Sequence, residues 1–554
     1  MRKHVFAVIA VFVLSIASIR PILTSGYFPM HDDTQVARVV AMGRALSEGQ
    51  FPVRWVSDLG YGLGYPIFNF YGPLPYYIGG ILYCLGLSGL LATKIMIASG
   101  IVLAGISMYA LGFAVYGASG GILSAVLYIY APYHALQAYV RGSIGEIWAY
   151  AFLPLVLLGI GQSRRSTHKA QAVCIGAFGL AGVILSHTIL GYVTVLFLAI
   201  SLVVYWVVRL IRKEFSGILF WPPAAILAAA AGLTAFFVLP ASFEMRYTNV
   251  SAMVGATADF RDHFVCLSQL WSSPWGFAGS APGCIDGMSL KLGKLHIILA
   301  ACALFALLRR KKKRDIEHFV VAGLFTFFVS VFFMIAPSRL LWEKLPNMVF
   351  VQYPWRFLTY AVFGLSLIGG AISVLTEKKF FRWSIALSAS VFVVGINAKW
   401  FAPQYIYQKP AESFETIEAL RWSASRISDE YLPPEVRRPR DVGEIIRDTI
   451  SPDVVSVEKS ADTATFASYK IKAQKPLDIT IYRAYFPGWE YMVNGAKVAP
   501  KIVEGLPVVS IGSGETDIVL RFADTPVRRL GNIVSMGTLA ALLFWYVRNK
   551  KIIA

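Results

Sequence analysis

Runs of apolar residues long enough to cross a hydrocarbon layer recur along the chain, at roughly 5–24, 93–115, 118–134, 146–162, 170–188, 190–210, 217–240, 294–309, 316–335, 357–376, 381–398 and 530–548. About 20 apolar residues in a helix cover about 30 Å, so the pattern predicts an all-α polytopic membrane bundle of about twelve spans. Short basic connectors punctuate the runs: Arg164 and Arg165 with Lys169, Arg212 with Lys213, the stretch Arg309 to Arg314, Lys378 with Lys379, and Arg548 with Lys550 and Lys551. The positive-inside rule assigns these connectors to the cytoplasm.

That assignment demands an odd number of crossings between the first loop and Arg164, yet four apolar stretches lie there. The stretch 73–90 is the one expected not to cross, because Pro73, Pro75, Gly79, Gly80, Gly86 and Gly89 interrupt it. It is expected to lie at the outer face as a juxtamembrane or re-entrant segment. Both termini then fall in the cytoplasm, and the chain sits in the cytoplasmic (inner) membrane. Every long polar segment lies outside: 26–72, 131–146, 241–293, 337–356 and 399–528. The expected organisation is a membrane module over 1–398, an extracytoplasmic unit over 399–528, and a last span with a basic tail over 529–554.

Within 399–528 the periodicity changes. Residues 411–428 suggest a short amphipathic helix. After Pro433 and Pro434 come alternating runs at 477–484, 490–493 and 516–522, with turn signals at Asn494-Gly495 and at Gly512-Ser513-Gly514. A β-rich, sandwich-like domain ahead of the last span is predicted.

Composition agrees with lipid burial: of 554 residues 56% are hydrophobic and only 15% charged. The net charge of +19 does not mark a nucleic-acid binder, because the basic residues flank apolar runs and form no soluble patch. Aromatic residues at 14% suit interfacial belts and carbohydrate contacts alike. Of the five cysteines, Cys84, Cys174 and Cys302 lie in apolar stretches and read as small buried hydrophobes. Cys266 and Cys284 share one external loop and are expected to form a disulfide.

The candidate chemistry gathers in the outer loops. The first opens with His31, Asp32 and Asp33 ahead of a helical pattern. One Asp there is a natural helix N-cap, whereas two beside a His suit a general base or a divalent-metal site facing a lipid-linked substrate. An aromatic, glycine-punctuated stretch follows, from Trp55 through Gly60-Tyr61-Gly62-Leu63-Gly64 to Tyr71. In the second loop, Arg141 and Glu146 either pair at the membrane edge or serve as an anion-binding cation and a second acid. The third loop carries Asp262, His263, Gln269, Trp271, Trp275 and Asp286, residue types common in sugar sites. The fourth carries Tyr353 and Arg356 at a span entrance, where the guanidinium is either a snorkelling anchor or a partner for a lipid phosphate. His187, inside a predicted span, reads as a helix-helix hydrogen-bonding residue.

Together, His31-Asp32-Asp33, the aromatic run 60–77, Arg141 with Glu146, the loop 261–287 and Gln352-Tyr353-Pro354-Trp355-Arg356 resemble the bacterial membrane proteins labelled 6-pyruvoyl-tetrahydropterin synthase-related. No zinc-ligand His cluster supports the pterin chemistry in that label. The layout also resembles the C-type (GT-C) integral-membrane glycosyltransferases, and the tail around Tyr485-Phe486-Pro487-Gly488-Trp489 resembles proteins that glycosylate cell-envelope polymers. The resemblance implies inverting transfer of a sugar from a polyprenyl-phosphate-linked donor to a cell-envelope glycan or glycoprotein acceptor. In that scheme Asp32 or Asp33 is the base and Glu146 a second acidic site. Arg141 and Arg356 receive the departing phosphate. A divalent cofactor, Mg or Mn, on Asp32, Asp33 and Glu146 is left open, since the second site offers a single Glu. Two alternatives stand beside it: a lipid-linked-sugar transporter or flippase, and a non-catalytic envelope glycan assembly protein whose β-domain binds glycan.

Overall fold

A computed structural model describes residues 2–165, 169–211, 213, 221–253, 258–308, 314–445, 450 and 456–551. Among the described residues, ten helices are long and apolar enough to span a membrane, and two shorter apolar helices, Ala118–Ile129 and Lys294–Leu308, fall where two further spans are expected. Of the basic connectors, Arg212 and residues 309–313 lie outside the described residues.

Large apolar side chains such as Phe6, Val204, Phe392 and Phe544 face outward. A soluble protein could not expose such a belt, but the apolar interior of a bilayer solvates it. The helix over Pro354–Val374 is instead wrapped by its neighbours almost completely. Small residues let helices approach: Gly159 on Ile144–Arg165 faces Gly176 on Lys169–Ser186 so closely that a Cβ would lie 2.4 Å from the Gly176 Cα.

The stretch 73–90 contains a helix, Leu74–Cys84, of only 11 residues, about half a membrane thickness. It packs on the helix Gln35–Ser47 and ends where Ser88 caps the next span, Gly89–Tyr116, by accepting a hydrogen bond from the Leu91 amide. Cys174 is buried, but Cys84 and Cys302 are exposed, against expectation. An apolar stretch on a helix facing lipid leaves a thiol on the protein's surface.

Within the segment expected as one amphipathic helix at 411–428, a short turn, Ala411–Phe414, precedes a continuous helical stretch over 417–427, wide-pitched at Glu418–Ala424 and α-helical at Ser425–Ile427. Beyond it come eight strands: β1 (Ser456–Asp462), β2 (Phe466–Ala473), β3 (Leu477–Thr480), β4 (Trp489–Val493), β5 (Ala496–Val498), β6 (Lys501–Val503), β7 (Leu506–Ile511) and β8 (Gly514–Phe522). They form two antiparallel sheets, ordered β1-β2-β8-β4-β5 and β3-β7-β6. Asn494 and Gly495 both take positive φ in the two-residue β4–β5 turn, the conformation that matches strand twist. Alternating burial along β2 and β8 places Tyr469, Ile471, Ile518 and Leu520 in the core.

This domain is docked on the aromatic loop of the membrane module. Trp55 packs edge-on against Trp489 at 5.5 Å and beside Phe486 and Phe522, and the Ala484 amide donates to the Leu63 carbonyl at 2.7 Å. Gly64 is at positive φ, and a Cβ there would stand 2.4 Å from the Trp55 ring, so the loop needs glycine to receive the indole. Arg528, opening the last helix, is fully buried against Glu244 at 2.9 Å and donates to the Pro487 carbonyl, tying span, domain and module together.

Candidate functional site

The helix after the first span begins at Gln35, and Thr34 stands at its N-cap without a side-chain capping bond. Neither aspartate is therefore the N-cap residue. Asp32 is fixed: Arg38 Nη1 donates to Oδ2 at 2.9 Å, Thr34 Oγ1 to Oδ1 at 2.7 Å, and the Tyr71 hydroxyl to Oδ2 at 3.3 Å. Arg38 is buried, lies 4.2 Å over the Tyr71 ring and keeps its Nε without a partner.

Asp33 differs. Its carboxylate has no hydrogen-bond or ion-pair partner in reach among the described residues, and it opens to solvent. Crowding by the surrounding protein first, and the charge of Asp32 second, push its pKa up to about 6, with Lys409 opposing. Because the group is exposed, solvent screens part of this coupling, but the direction follows from both causes.

The second loop is joined to the first through the backbone: the His31 and Asp32 amides donate to the Val140 and Arg141 carbonyls, each at 3.0 Å. Gln35 adds a bond to the Gly142 carbonyl at 2.9 Å. Gly142, at positive φ, ends the wide helical turn Gln137–Arg141, and a Cβ there would strike Met30. This turn aims Arg141 back at Glu146. The two form a bidentate pair, Nη1 to Oε2 at 2.6 Å and Nη2 to Oε1 at 2.7 Å. Glu146 is wholly buried and also accepts from Tyr133 at 3.1 Å, Gln137 at 3.2 Å and Arg356 Nε at 3.2 Å. His187, at the break between two spans, brings Nε2 to 3.9 Å from the same carboxylate.

The third and fourth loops close the ring. His31 Nε2 contacts the Phe277 carbonyl at 2.9 Å. His263 stands edge-on to Tyr353 at 4.9 Å, Tyr353 stacks on Trp355 at 4.9 Å, and the Arg141 guanidinium lies 4.3 Å over Trp355.

The geometry revises several sequence-based expectations. Glu146 cannot serve as an open base, since its oxygens are committed to two guanidiniums. Asp32, Asp33 and Glu146 do not form a metal-binding group, and no cluster of three metal-ligating side chains occurs among the described residues. The donors fit a metal poorly, because the oxygens of Asp32 and Glu146 already accept from Arg, Thr, Tyr and Gln. Gln269 and Asp286 hold each other at 3.0 Å, and Gln269 also accepts from the Cys266 amide, beside the Cys266–Cys284 disulfide. They brace the loop and do not line the site. Asp262 and Trp271 lie on the loop's outer surface, and one face of Trp275 is covered by Trp400 at 5.1 Å.

Residues that the sequence did not single out complete the centre. Besides Arg38 and Tyr71, these are Tyr76, whose hydroxyl donates to Gln35 at 2.6 Å, and Glu430 with Tyr431 from the link to the β-domain. Tyr431 stacks on Phe70 at 5.2 Å. Burial pushes the Glu430 pKa up, against the pull of Arg38. Only tertiary structure brings Glu430 to a site some 400 residues earlier, so no local pattern could have revealed it. An apolar groove of about 560 Å³, lined by Val8, Tyr109, Phe113, Leu158 and Phe319, touches none of these residues.

Known proteins resemble parts of this chain. Residues 68–282 match the family model of the 6-pyruvoyl-tetrahydropterin synthase related domain, described as a membrane protein. A Lactococcus lactis subsp. cremoris protein described as uncharacterized is 26% identical over 209 residues, which make up 37% of this chain and 34% of that protein. The match thus spans about a third of the relative's length. Among solved structures, an Archaeoglobus fulgidus oligosaccharyltransferase tethered to an acceptor peptide aligns with TM-score 0.46 and 14% identity, over 79% of this chain and 61% of the other. The arabinofuranosyltransferase AftD from Mycobacteria aligns at 0.41 and 13%, over 73% of this chain and 27% of that one. ArnT from Cupriavidus metallidurans, bound to undecaprenyl phosphate, aligns at 0.30 and 13%, over 72% and 89%.

Proposed function

We propose that this membrane protein is an inverting glycosyltransferase that uses a polyprenyl-phosphate-linked sugar at the outer face of the cytoplasmic membrane. The observation that carries the reading is Asp33: an unpaired, exposed carboxylate with a raised pKa, directly after two residues whose amides bond to the loop that carries Arg141. In the centre around Glu146, Arg141 and Arg356 share that one carboxylate, and the Arg356 Nη2 makes no hydrogen bond among the described residues.

Asp33 removes the proton from an acceptor hydroxyl as its oxygen forms a bond to C1 of the sugar. The bond from C1 to the phosphate oxygen breaks, and the electron pair leaves with the polyprenyl phosphate. Arg356, with Arg141 behind it, stabilises that anion. Glu146 is a positioning residue that keeps both guanidiniums aimed and in place. Asp32 holds Arg38 and raises the basicity of Asp33 by its charge. No step requires a metal. The free carboxylate at one membrane face favours transfer over transport, which calls for ionisable groups at mid-span.

The test is reconstitution in nanodiscs with a panel of polyprenyl-phosphate sugars, following release of free polyprenyl phosphate with an envelope extract as acceptor. Release that depends on protein and acceptor is expected. Absence of release with every donor, while the same discs bind polyprenyl phosphate, would contradict transfer and favour a carrier.

A further inference from the structure

Two lysines gather around a pair of stacked indoles, and a third stands over a neighbouring indole. Trp275 and Trp400 stack at 5.1 Å with 28° between planes. Lys291 Nζ lies 3.6 Å from the Trp400 ring centre and 5.7 Å from that of Trp275, and Lys399 Nζ lies 4.7 Å from Trp400. Lys294, at the start of the next helix, lies 5.5 Å from Trp271. None of the three is paired with a carboxylate among the described residues. The nearest acid, Asp286, is already bonded to Gln269 and Ser273.

Lys291 donates to the Ser273 carbonyl at 3.3 Å, which leaves its charge unneutralised. Lys291 is half-buried among like charges, and burial, then Lys399 and Lys294, lower its pKa to about 8, with Asp286 opposing. Ordinary snorkelling lysines spread out into water and do not share an indole. Here the stacked indoles hold the ammonium groups in place, so Trp275 and Trp400 serve as a pedestal for cations and leave little face for a sugar ring. The cluster is linked to the first loop through Phe277. Trp275 sits edge-on to Phe277 at 6.3 Å, and the Phe277 carbonyl is the partner of His31, two residues before Asp33.

We propose that Lys291 and Lys399, mounted on Trp275 and Trp400, with Lys294 over the neighbouring Trp271, form a binding site for a phosphate-bearing group of the acceptor, which orients the acceptor hydroxyl toward Asp33. The role in orienting an acceptor rests on the glycosyltransferase reading, whereas the anion site itself does not. Phosphate of this kind comes either from a soluble phosphodiester polymer or from an anionic lipid headgroup.

The experiment measures binding of inorganic tripolyphosphate by calorimetry to the full chain in nanodiscs of phosphatidylcholine, and again in discs that also contain phosphatidylglycerol. Wild type is compared with the Lys291→Gln/Lys399→Gln double variant and, to preserve charge, the Lys291→Arg/Lys399→Arg variant, all checked for equal thermal stability. Binding is expected to weaken at least roughly tenfold in the Gln variant, to persist in the Arg variant, and to decline as pH rises through about 8. Equal tripolyphosphate binding in both disc types identifies a soluble polymer; competition by phosphatidylglycerol in wild type but not in the Gln variant identifies a headgroup. No binding in wild type, or equal binding in wild type and the folded Gln variant, would overturn the site. Asp33→Asn should lose transfer yet bind tripolyphosphate as wild type does, so retained transfer with intact binding counts against the proposed reaction and leaves this site standing.

Discussion

Two carboxylates that look alike in sequence, Asp33 and Glu146, occupy opposite environments on neighbouring loops. Glu146 is buried under Arg141, Arg356, Tyr133 and Gln137, with every lone pair engaged. Asp33 is open, unpaired and pushed toward neutrality by crowding and by Asp32. A buried acid surrounded by cations has nothing left to give to a substrate, whereas an open acid with a raised pKa is ready to accept a proton near neutral pH. The pair shows that an acidic residue in a loop between spans is informative only together with what already holds it.

The contrast can be broken most sharply at Glu146. Glu146→Gln leaves two buried guanidiniums uncompensated and should cost about 3–5 kcal/mol of stability, read as a fall in thermal midpoint of the detergent-solubilised protein. An unchanged midpoint would mean that Glu146 is not the keystone described. Next in size, Cys266→Ser should cost about 3 kcal/mol by releasing the loop closed across 18 residues, and it should loosen the wall that meets His31. Hydrogen exchange across 266–290 would register it, and unaltered protection would show that the Gln269–Asp286 bond suffices alone.

Smaller effects sharpen the Asp33 side. The active form is the deprotonated one, so transfer should rise with pH through about 6 and fall about tenfold per unit below it. That limb should vanish in Asp33→Asn and persist in Glu146 variants that still fold. The folded-state pKa of Asp33 lies above its unfolded value, so its stabilising contribution is full at low pH and is lost as pH rises through about 6. Asp33→Asn should accordingly leave stability unchanged at pH 4 and raise it by about a few tenths of a kcal/mol at neutral pH, a small effect because the group is solvent-screened. A clear loss of stability would reveal an unseen structural partner.

Hydropathy made the helices and their order legible, because lipid imposes length and apolarity directly on the sequence. Alternation and the Asn494-Gly495 turn announced the strands for the same reason: the code is local. The site was legible only in part. His31, Asp32, Asp33, Arg141, Glu146 and Arg356 stood out as polar residues at span ends, and their backbones and side chains do meet. Their division of labour was not visible, because it depends on partners such as Arg38, which looks like an ordinary helix cation six positions after Asp32. Gln269 and Asp286 misled for the opposite reason. Residue types that suit sugars are equally suited to bonding each other.

The central claim is that Asp33 is the base, and the direct measurement is transfer from a polyprenyl-phosphate sugar by purified Asp33→Asn, Asp32→Asn and the double variant at matched thermal stability. The account predicts a loss of about 100-fold or more in Asp33→Asn, since an amide keeps the shape but accepts no proton. Full activity in Asp33→Asn would contradict it, whatever the other two variants do.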